Sequence, residues 1–318
     1  MEYEFAPLEG ITGPEFRRAH HRFFPGVDRY YTPFLSPTQH HVFPPRELRQ
    51  VLPEENESIP LVPQLLTKNA EDFLWAAGEL AAMGYREVNL NLGCPSGTVT
   101  AKGKGAGFLA DLTGLERFFD QVFEKTPVAV SVKTRLGVVE EEEFGPLLRL
   151  FCRYPIARLI VHPRVREDHY KHPVRLEAFH RFLPRCTLPV CFNGGITAVD
   201  QCLRLQARWP EVEAYMMGQG LLADPALIRR LQGGPPARPE ELRAFHDALY
   251  TGYCRRFQSE KQAVYHMKEL WRYLRCLFEG FDPYLRPLRK AADGPAYEAV
   301  VSAVFQNCSL RPDALPDW

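Results

Sequence analysis

The chain has 318 residues, 45% hydrophobic and 25% charged, with 39 Lys and Arg against 39 Asp and Glu. That composition excludes disordered, collagen-like and coiled-coil chains and fits a globular protein with ample core material. A net charge of zero gives no global pull toward nucleic acid or anionic membrane, so any such contact rests on local charge. No apolar run approaches the roughly 18–20 residues of a membrane span. Met1–Gly10 reads directly into a strand and turn rather than a signal peptide, and the eight cysteines contain no CxxC. These features predict a cytoplasmic protein with reduced thiols and no membrane contact.

Short β-rich apolar runs alternate with helical patterns from residue 3 to about residue 230. The strands read as Tyr3–Leu8, Arg29–Leu35, Pro60–Leu65, Glu87–Leu92, Val128–Lys133, Arg158–His162, Pro189–Phe192 and Glu213–Met217. They are near-continuous apolar runs, as parallel strands covered on both faces require. Asn69 reads as the cap of a helix whose face is Phe73, Leu74, Ala77, Leu80 and Ala81, and Gly84 closes it. Four prolines (Pro37, Pro44, Pro45, Pro53) leave the second unit with a broken helix. Eight strand–helix units predict the α/β class and a (β/α)8 TIM barrel over residues 1–232.

Residues 233–239 are a Gly- and Pro-rich linker, and helices near 240–258, 260–278 and 295–306 predict a small helical domain over 240–318. Thr251–Lys290 holds nine basic residues against four acids, with Tyr253, Phe257, Tyr265, Trp271 and Tyr273 interleaved. Taken alone, this reads first as a three-helix bundle with a solvated basic face and an aromatic core.

In such a barrel the active site lies at the carboxyl ends of the strands. Gln64, Asn89, Asn91, Cys94, Lys133, Arg135, His162, Arg164 and Asn193 gather there, followed by Gly218-Gln219-Gly220. Asn193-Gly194-Gly195 and Gly218-Gln219-Gly220 follow the last two strands, where exposed N–H groups cradle a phosphate. Lys133 and His162 offer positive charge and hydrogen bonds toward one spot, as an anion forming on a flavin ring would need. Gln64 donates and accepts at once, which suits a pyrimidine edge. Gly93 and Pro95 hold the Cys94 thiol in a turn, as nucleophile or general acid, and Lys102–Gly107 reads as a mobile lid. An inert buried thiol suits Cys152, Cys202, Cys276 and Cys308 better. His169 and His172, near His162, lack a helical i, i+4 pair and a supporting carboxylate, so no metal is expected.

In order along the barrel, these residues resemble the tRNA-dihydrouridine synthase family. Ala6-Pro7-Leu8-Glu9-Gly10-Ile11-Thr12 with Phe16-Arg17 is similar to its first-strand motif, and Asn91-Leu92-Gly93-Cys94-Pro95 with Gly105-Ala106 to its catalytic-cysteine signature. Ser131–Gly137, Val161–Arg164, Phe192–Ile196 and Met217–Gly220 follow in family order, and His266-Met267-Lys268 is similar to a helix of the family's RNA-binding domain. The resemblance implies a barrel holding FMN, with NADPH as reductant and a uridine of tRNA as substrate. Carried over residue by residue, Pro7, Gln64, Lys133, His162, Asn193, Gly195, Gly218 and Gln219 would contact FMN. Asn91, Arg135, Arg164 and Tyr170 would lie near the target nucleotide, Lys268 would meet the RNA, and Cys94 would be the acid. Gln219 stands where the family usually has Arg, Asn89 where it has Asp, and Pro163 where it has Gly.

On this reading hydride reaches C6 of uracil and Cys94 protonates C5 from the opposite face. The base must be flipped out of the RNA to be reached, which gives the basic tail a task. The rivals are an FMN barrel that reduces a small pyrimidine or enone, and a flavin-free RNA-binding protein. A monomer is expected.

Overall fold

The computed structural model describes residues 1–317. Its first nine strands are β1 (Glu2–Phe5), β2 (Arg29–Tyr31), β3 (Leu61–Val62), β4 (Gln64–Leu65), β5 (Glu87–Leu92), β6 (Ala129–Arg135), β7 (Leu159–His162), β8 (Val190–Asn193) and β9 (Ala214–Met217). They form one sheet in the order β3-β2-β1-β9-β8-β7-β6-β5-β4. The two ends of that order are halves of a single strand broken at Pro63, so the sheet closes on itself with eight strand positions. The pairings β1–β2, β2–β3, β4–β5, β5–β6, β6–β7, β7–β8 and β8–β9 are parallel, and in β5–β6 Glu87–Leu92 face Ala129–Thr134 residue for residue. This is the (β/α)8 barrel of the α/β class.

Between the strands lie α1 (Pro14–Phe23), α2 (Pro45–Leu48), α3 (Ala70–Ala82), α4 (Gly97–Thr100), α5 (Leu112–Lys125), α6 (Phe144–Phe151), α7 (Leu176–Phe182) and α8 (Val199–Arg208). After β9 come α9 (Gln219–Ala223) and α10 (Leu227–Leu231). The Asn69 side chain caps α3 by accepting from the Asp72 N–H at 3.1 Å, and Gly84 leaves the helix at φ +97°. Asp111 caps α5 in the same way, and Leu115, Phe118, Phe119 and Val122 bury one face of that helix. The proline-rich second unit is reduced to α2 and a single 3-10 turn at Pro53–Glu55.

β1 and β2 are shorter than their apolar runs. Beyond Phe5 the chain turns, the Leu8 carbonyl accepting from the Ile11 and Thr12 N–H groups, and Leu35 touches the sheet only through an isolated bridge to Leu65.

Side chains inside the barrel form tiers. At the amino-terminal end Arg158 pairs with Glu2 (2.6 Å) and with the fully buried Glu4, and Arg29 with Glu87 (2.6 Å). Above them Ala6, Tyr31, Val62, Ile160, Cys191, Ala214 and Met216 pack as an apolar cluster. The third tier, at the carboxyl ends, is polar and forms the site described below.

Two compact units emerge from the packing, and they do not follow a cut at residues 233–239. One comprises Met1–Pro7, Arg29–Gly195 and Pro210–Met216; the other comprises Leu8–Asp28, Ile196–Trp209 and the chain from Met217 onward. The second unit contains α11 (Pro239–Phe257), α12 (Glu260–Leu274), α13 (Asp282–Lys290) and α14 (Gly294–Asn307). A short antiparallel ribbon, β10 (Phe278–Glu279) with β11 (Ser309–Leu310), joins them. Four helices stand where three are predicted; α13 is hidden in the sequence by Pro283 and Pro287.

Within this unit Phe245 of α11 packs edge-on against Phe16 and Phe24, with ring centroids 5.9 and 5.2 Å apart, and Arg256 pairs with Glu15 at 3.1 Å. The hydroxyl of buried Tyr297 accepts from Trp271 Nε1 (2.8 Å) and lies 2.7 Å from His246 Nε2, while His246 Nδ1 lies 2.8 Å from Asp247. Among the described residues no helix is long and apolar enough to cross a membrane.

Candidate active site

Alternation along a strand turns every second residue inward, and at the carboxyl ends those residues are Gln64, Asn91, Lys133, Arg135, His162 and Asn193. All belong to the first unit. The amides form a directed chain. Asn91 Nδ2 donates to Gln64 Oε1 (2.7 Å), Gln64 Nε2 to Asn89 Oδ1 (2.8 Å), and Asn89 Nδ2 to Ser131 Oγ (2.9 Å). Gln64 thereby keeps one N–H and one lone pair for a ligand. Asn89 needs no negative charge for this role, which explains how an amide serves where the resemblance would place Asp.

Asn91 also builds the cysteine turn. Its Oδ1 accepts from the N–H groups of Gly93 (3.0 Å) and Cys94 (2.9 Å), while Arg135 Nε holds the Gly93 carbonyl at 2.8 Å. Cys94 is half-buried. Its carbonyl accepts from the Ala106 N–H at 3.1 Å, and Gly105 sits at φ +57° so close that a Cβ would lie 2.9 Å from the Cys94 oxygen and 3.1 Å from the Cys94 Cβ. Only glycine meets both demands. Gly105–Ala110 is a 3-10 helix with Ala106 wholly buried. Of the predicted lid Lys102–Gly107, Gly105 and Ala106 are buried behind the thiol, Gly103, Lys104 and Gly107 are half-buried, and Lys102 is exposed.

Lys133 donates from Nζ to Asn193 Oδ1 at 2.7 Å. Asn193 Nδ2 donates to the Met216 carbonyl at 2.9 Å, which fixes which way the amide faces. Burial, and then the charge of Arg135, lower the Lys133 pKa to about 8.

His162 departs from its predicted role as a positive group. Burial, and then the charges of Arg135, Lys133 and Arg164, hold its pKa well below the ordinary value, so the ring is neutral. Arg164 Nη1 lies 2.9 Å from His162 Nε2; a guanidinium can only donate, so Nε2 carries the lone pair and Nδ1 the proton. Gly194, at φ +134°, leaves room for this ring, since a Cβ there would lie 2.7 Å from His162 Cδ2. Gly195 is also left-handed, at φ +69°.

Arg135 is wholly buried. Besides Gly93 it binds the carbonyls of Val165 and His169, both at 2.9 Å, and its Nη2 has no protein partner. Its guanidinium lies 5.2 Å from the Tyr170 ring centroid, and Tyr170 is 55% exposed. Arg164 Nε donates to the His172 carbonyl at 2.6 Å. His169 and His172 thus serve through their main chain, and among the described residues no cluster of His, Cys, Asp and Glu could hold a metal.

Pro7 is half-buried just beyond β1. Gly218 and Gln219, likewise half-buried, belong to the second unit. There a Cβ on Gly220 would overlap the Ile196 carbonyl oxygen, so the second glycine of Gly218-Gln219-Gly220 is required by backbone packing. Lys268 donates to the carbonyls of Arg289 (3.1 Å) and Ala291 at the end of α13. Of the cysteines expected to be buried, Cys202 and Cys276 are, whereas Cys152 and Cys308 are half-exposed. Gly105 and the neutral state of His162 escape a reading from residue types alone.

Residues 4–292 match the family described as Dihydrouridine synthase (Dus). The chain belongs to that family. Its members are flavin-dependent oxidoreductases. A probable tRNA-dihydrouridine synthase 1 of Synechocystis is 27% identical over 282 residues, covering 83% of this chain and 77% of that protein. A probable tRNA-dihydrouridine synthase of Staphylococcus aureus is 27% identical over 298 residues (91% and 85%), and a tRNA-dihydrouridine(20/20a) synthase of Xanthomonas campestris is 29% identical over 233 residues (70% and 68%). Among solved structures, morphinone reductase superposes with TM-score 0.51 at 13% identity, covering 75% of this chain and 87% of that one. A morphinone reductase variant in complex with tetrahydroNAD gives TM-score 0.53 at 11% identity, covering 75% and 88%. The two reductases share the barrel fold with this chain.

Proposed function

We propose that this dihydrouridine synthase reduces the C5–C6 double bond of a uridine in tRNA, using bound FMN and NADPH, as a cytoplasmic monomer. The observation that carries the reading is Cys94, a half-buried thiol fixed between Asn91 and Gly105 in the same barrel end as the Lys133 ammonium. The names of the relatives support tRNA as the substrate. The tetrahydroNAD complex of a fold neighbour accords with a nicotinamide reductant.

The mouth residues fit a flavin. Gln64 keeps a free donor and a free acceptor, Lys133 brings half-buried positive charge, and Gly195 leaves the backbone after β8 exposed. We assign Pro7, Gln64, Lys133, His162, Asn193 and Gly195 to FMN, with Gly218 and Gln219 to its phosphate. Held there, the flavin would supply the hydride for C6 of uracil. Cys94 gives the proton to C5, the Asn91 and Gly105 contacts keeping its thiol in place. His162 contributes a hydrogen bond and no charge. Arg135, with its spare Nη2, Arg164, Tyr170 and Asn91 line the place of the flipped base, and the cationic face of α12 and α13, Lys268 included, meets the rest of the RNA.

Nucleoside mass spectrometry of tRNA from a strain lacking the gene, mapped by position, tests the reading. Loss of dihydrouridine at one or more positions supports it, and an unchanged dihydrouridine map contradicts it.

A further inference from the structure

Of the aromatic rings among the described residues only Tyr170 and Tyr265 are mainly exposed, and Tyr265 is the more so, at 69%. Tyr170 belongs to the candidate site. Tyr265 lies on the polar side of α12, whose buried face is Ala263, Val264, Met267, Leu270, Trp271 and Leu274. Core packing therefore gives no reason for an aromatic residue there.

Its neighbours on the helix supply one. Lys261, Tyr265, Lys268 and Arg272 are spaced i, i+4, i+7 and i+11, which places them in a single narrow stripe. Lys268 Nζ lies 5.7 Å from the Tyr265 ring centroid while donating to the Arg289 and Ala291 carbonyls. The ammonium thus caps the end of α13 and borders the ring at the same time. It also ties the exposed cations Arg289 and Lys290 to the stripe. One acid, Glu269, lies on the flank, 3.7 Å from Arg272.

We propose that Tyr265 is a stacking platform for an unpaired base of the tRNA, and that Lys261, Arg272, Arg289 and Lys290 hold the phosphates beside it. This rests on the tRNA reading given above. Charge complementarity selects the occupant: an exposed ring bordered by cations offers a nucleobase its face and the backbone its counter-charges, the pattern of sequence-tolerant single-strand binding. Lys268, with two of its three N–H groups on carbonyls, positions the ring and keeps one donor for the RNA.

The test is fluorescence anisotropy of the full-length protein with an unmodified tRNA transcript, titrated at several KCl concentrations. Tyr265→Ala and Tyr265→Leu are each expected to raise Kd about tenfold at every salt concentration, leaving the slope of log K against log salt unchanged, while Tyr265→Phe keeps wild-type binding. Arg272→Gln is expected to flatten that slope by roughly 0.7–0.9. Wild-type Kd in Tyr265→Ala, or in Tyr265→Leu, would overturn the stacking role. A Tyr265→Phe protein as weak as Tyr265→Ala would overturn it too, by assigning the effect to the hydroxyl. So would a change in sedimentation between wild type and Tyr265→Ala, which would assign the ring to self-association. If the wild-type protein does not bind the transcript, the tRNA reading itself fails; if it binds and Tyr265→Ala matches it, only the stacking fails.

Discussion

Lys133 and Asn193, sixty residues apart in the chain, are joined by a 2.7 Å hydrogen bond from Nζ to Oδ1 that skips the intervening strand β7. Because Asn193 Nδ2 is committed to the Met216 carbonyl, its oxygen has to face the lysine. Three strands thereby fix one ammonium. No carboxylate neutralises it at hydrogen-bond distance, which leaves its charge available to a bound anion.

Holding that charge costs stability in the flavin-free protein. Burial lowers the Lys133 pKa to about 8 from an ordinary 10.5. Between these values the unfolded chain keeps a proton that the folded chain has released, so stability rises with pH across that window. Below about pH 8 the full penalty, roughly 3 kcal/mol, is present. Lys133→Met should therefore stabilise the flavin-free protein at pH 7 by about 1–2 kcal/mol, after the loss of the Asn193 hydrogen bond. The advantage should vanish at about pH 9 and reverse by about pH 10.5, where the wild type carries no penalty and keeps its Asn193 hydrogen bond. Urea unfolding at the two pH values checks this, and a variant less stable than wild type at pH 7 would contradict it.

Cys94→Ala should fold, retain FMN and accept hydride from NADPH at a near-normal rate, since that half-reaction needs no proton at uracil C5. Reoxidation by tRNA should slow by about 10²–10⁴-fold, the usual worth of a positioned acid. Rapid mixing followed by flavin absorbance reads the two half-reactions separately. Unchanged reoxidation would remove Cys94 from the mechanism.

The purified protein should be yellow and release FMN, and two substitutions should divide the glycine-rich segments. Gly194→Ala places a Cβ against the His162 ring at φ +134°, so flavin content and stability should both fall, the latter by about 1–3 kcal/mol. Gln219→Ala should lower FMN retention only modestly if backbone N–H groups do most of the phosphate holding. Absorbance after gel filtration measures both, and complete flavin loss in Gln219→Ala would show that the side chain carries the phosphate.

The barrel is legible in the sequence because buried parallel strands leave near-continuous apolar runs, and each such run overlaps a strand. Most site residues are legible for a related reason. A polar residue ending an apolar run, such as Lys133 or Asn193, has no other place to go than the barrel mouth. What is not legible depends on neighbours brought in from elsewhere. The neutrality of His162 follows from its burial and then from the three cations around it, and the need for Gly105 follows from its distance to Cys94. Prolines conceal α13 because Pro283 falls at its amino-terminal end, where proline is tolerated, and Pro287 inside it.

Tyr297→Phe should destabilise the helical unit. The hydroxyl accepts from Trp271 Nε1 and so points its own proton at His246 Nε2, leaving His246 Nδ1–H for Asp247. Its removal strands a buried indole N–H and a buried imidazole nitrogen, at a cost of about 2–4 kcal/mol. Chemical denaturation measures the loss, and a change below about 0.5 kcal/mol would show that this network does not hold the unit together.

The most direct test of the account is nucleoside mass spectrometry of a uridine-containing tRNA transcript after incubation with the purified protein, FMN and NADPH. The account predicts dihydrouridine, a gain of two hydrogens at uridine, with wild-type protein, and formation slowed by about 10²–10⁴-fold with Cys94→Ala. NADPH oxidation by the flavin-loaded wild-type protein with no dihydrouridine in the transcript would contradict it.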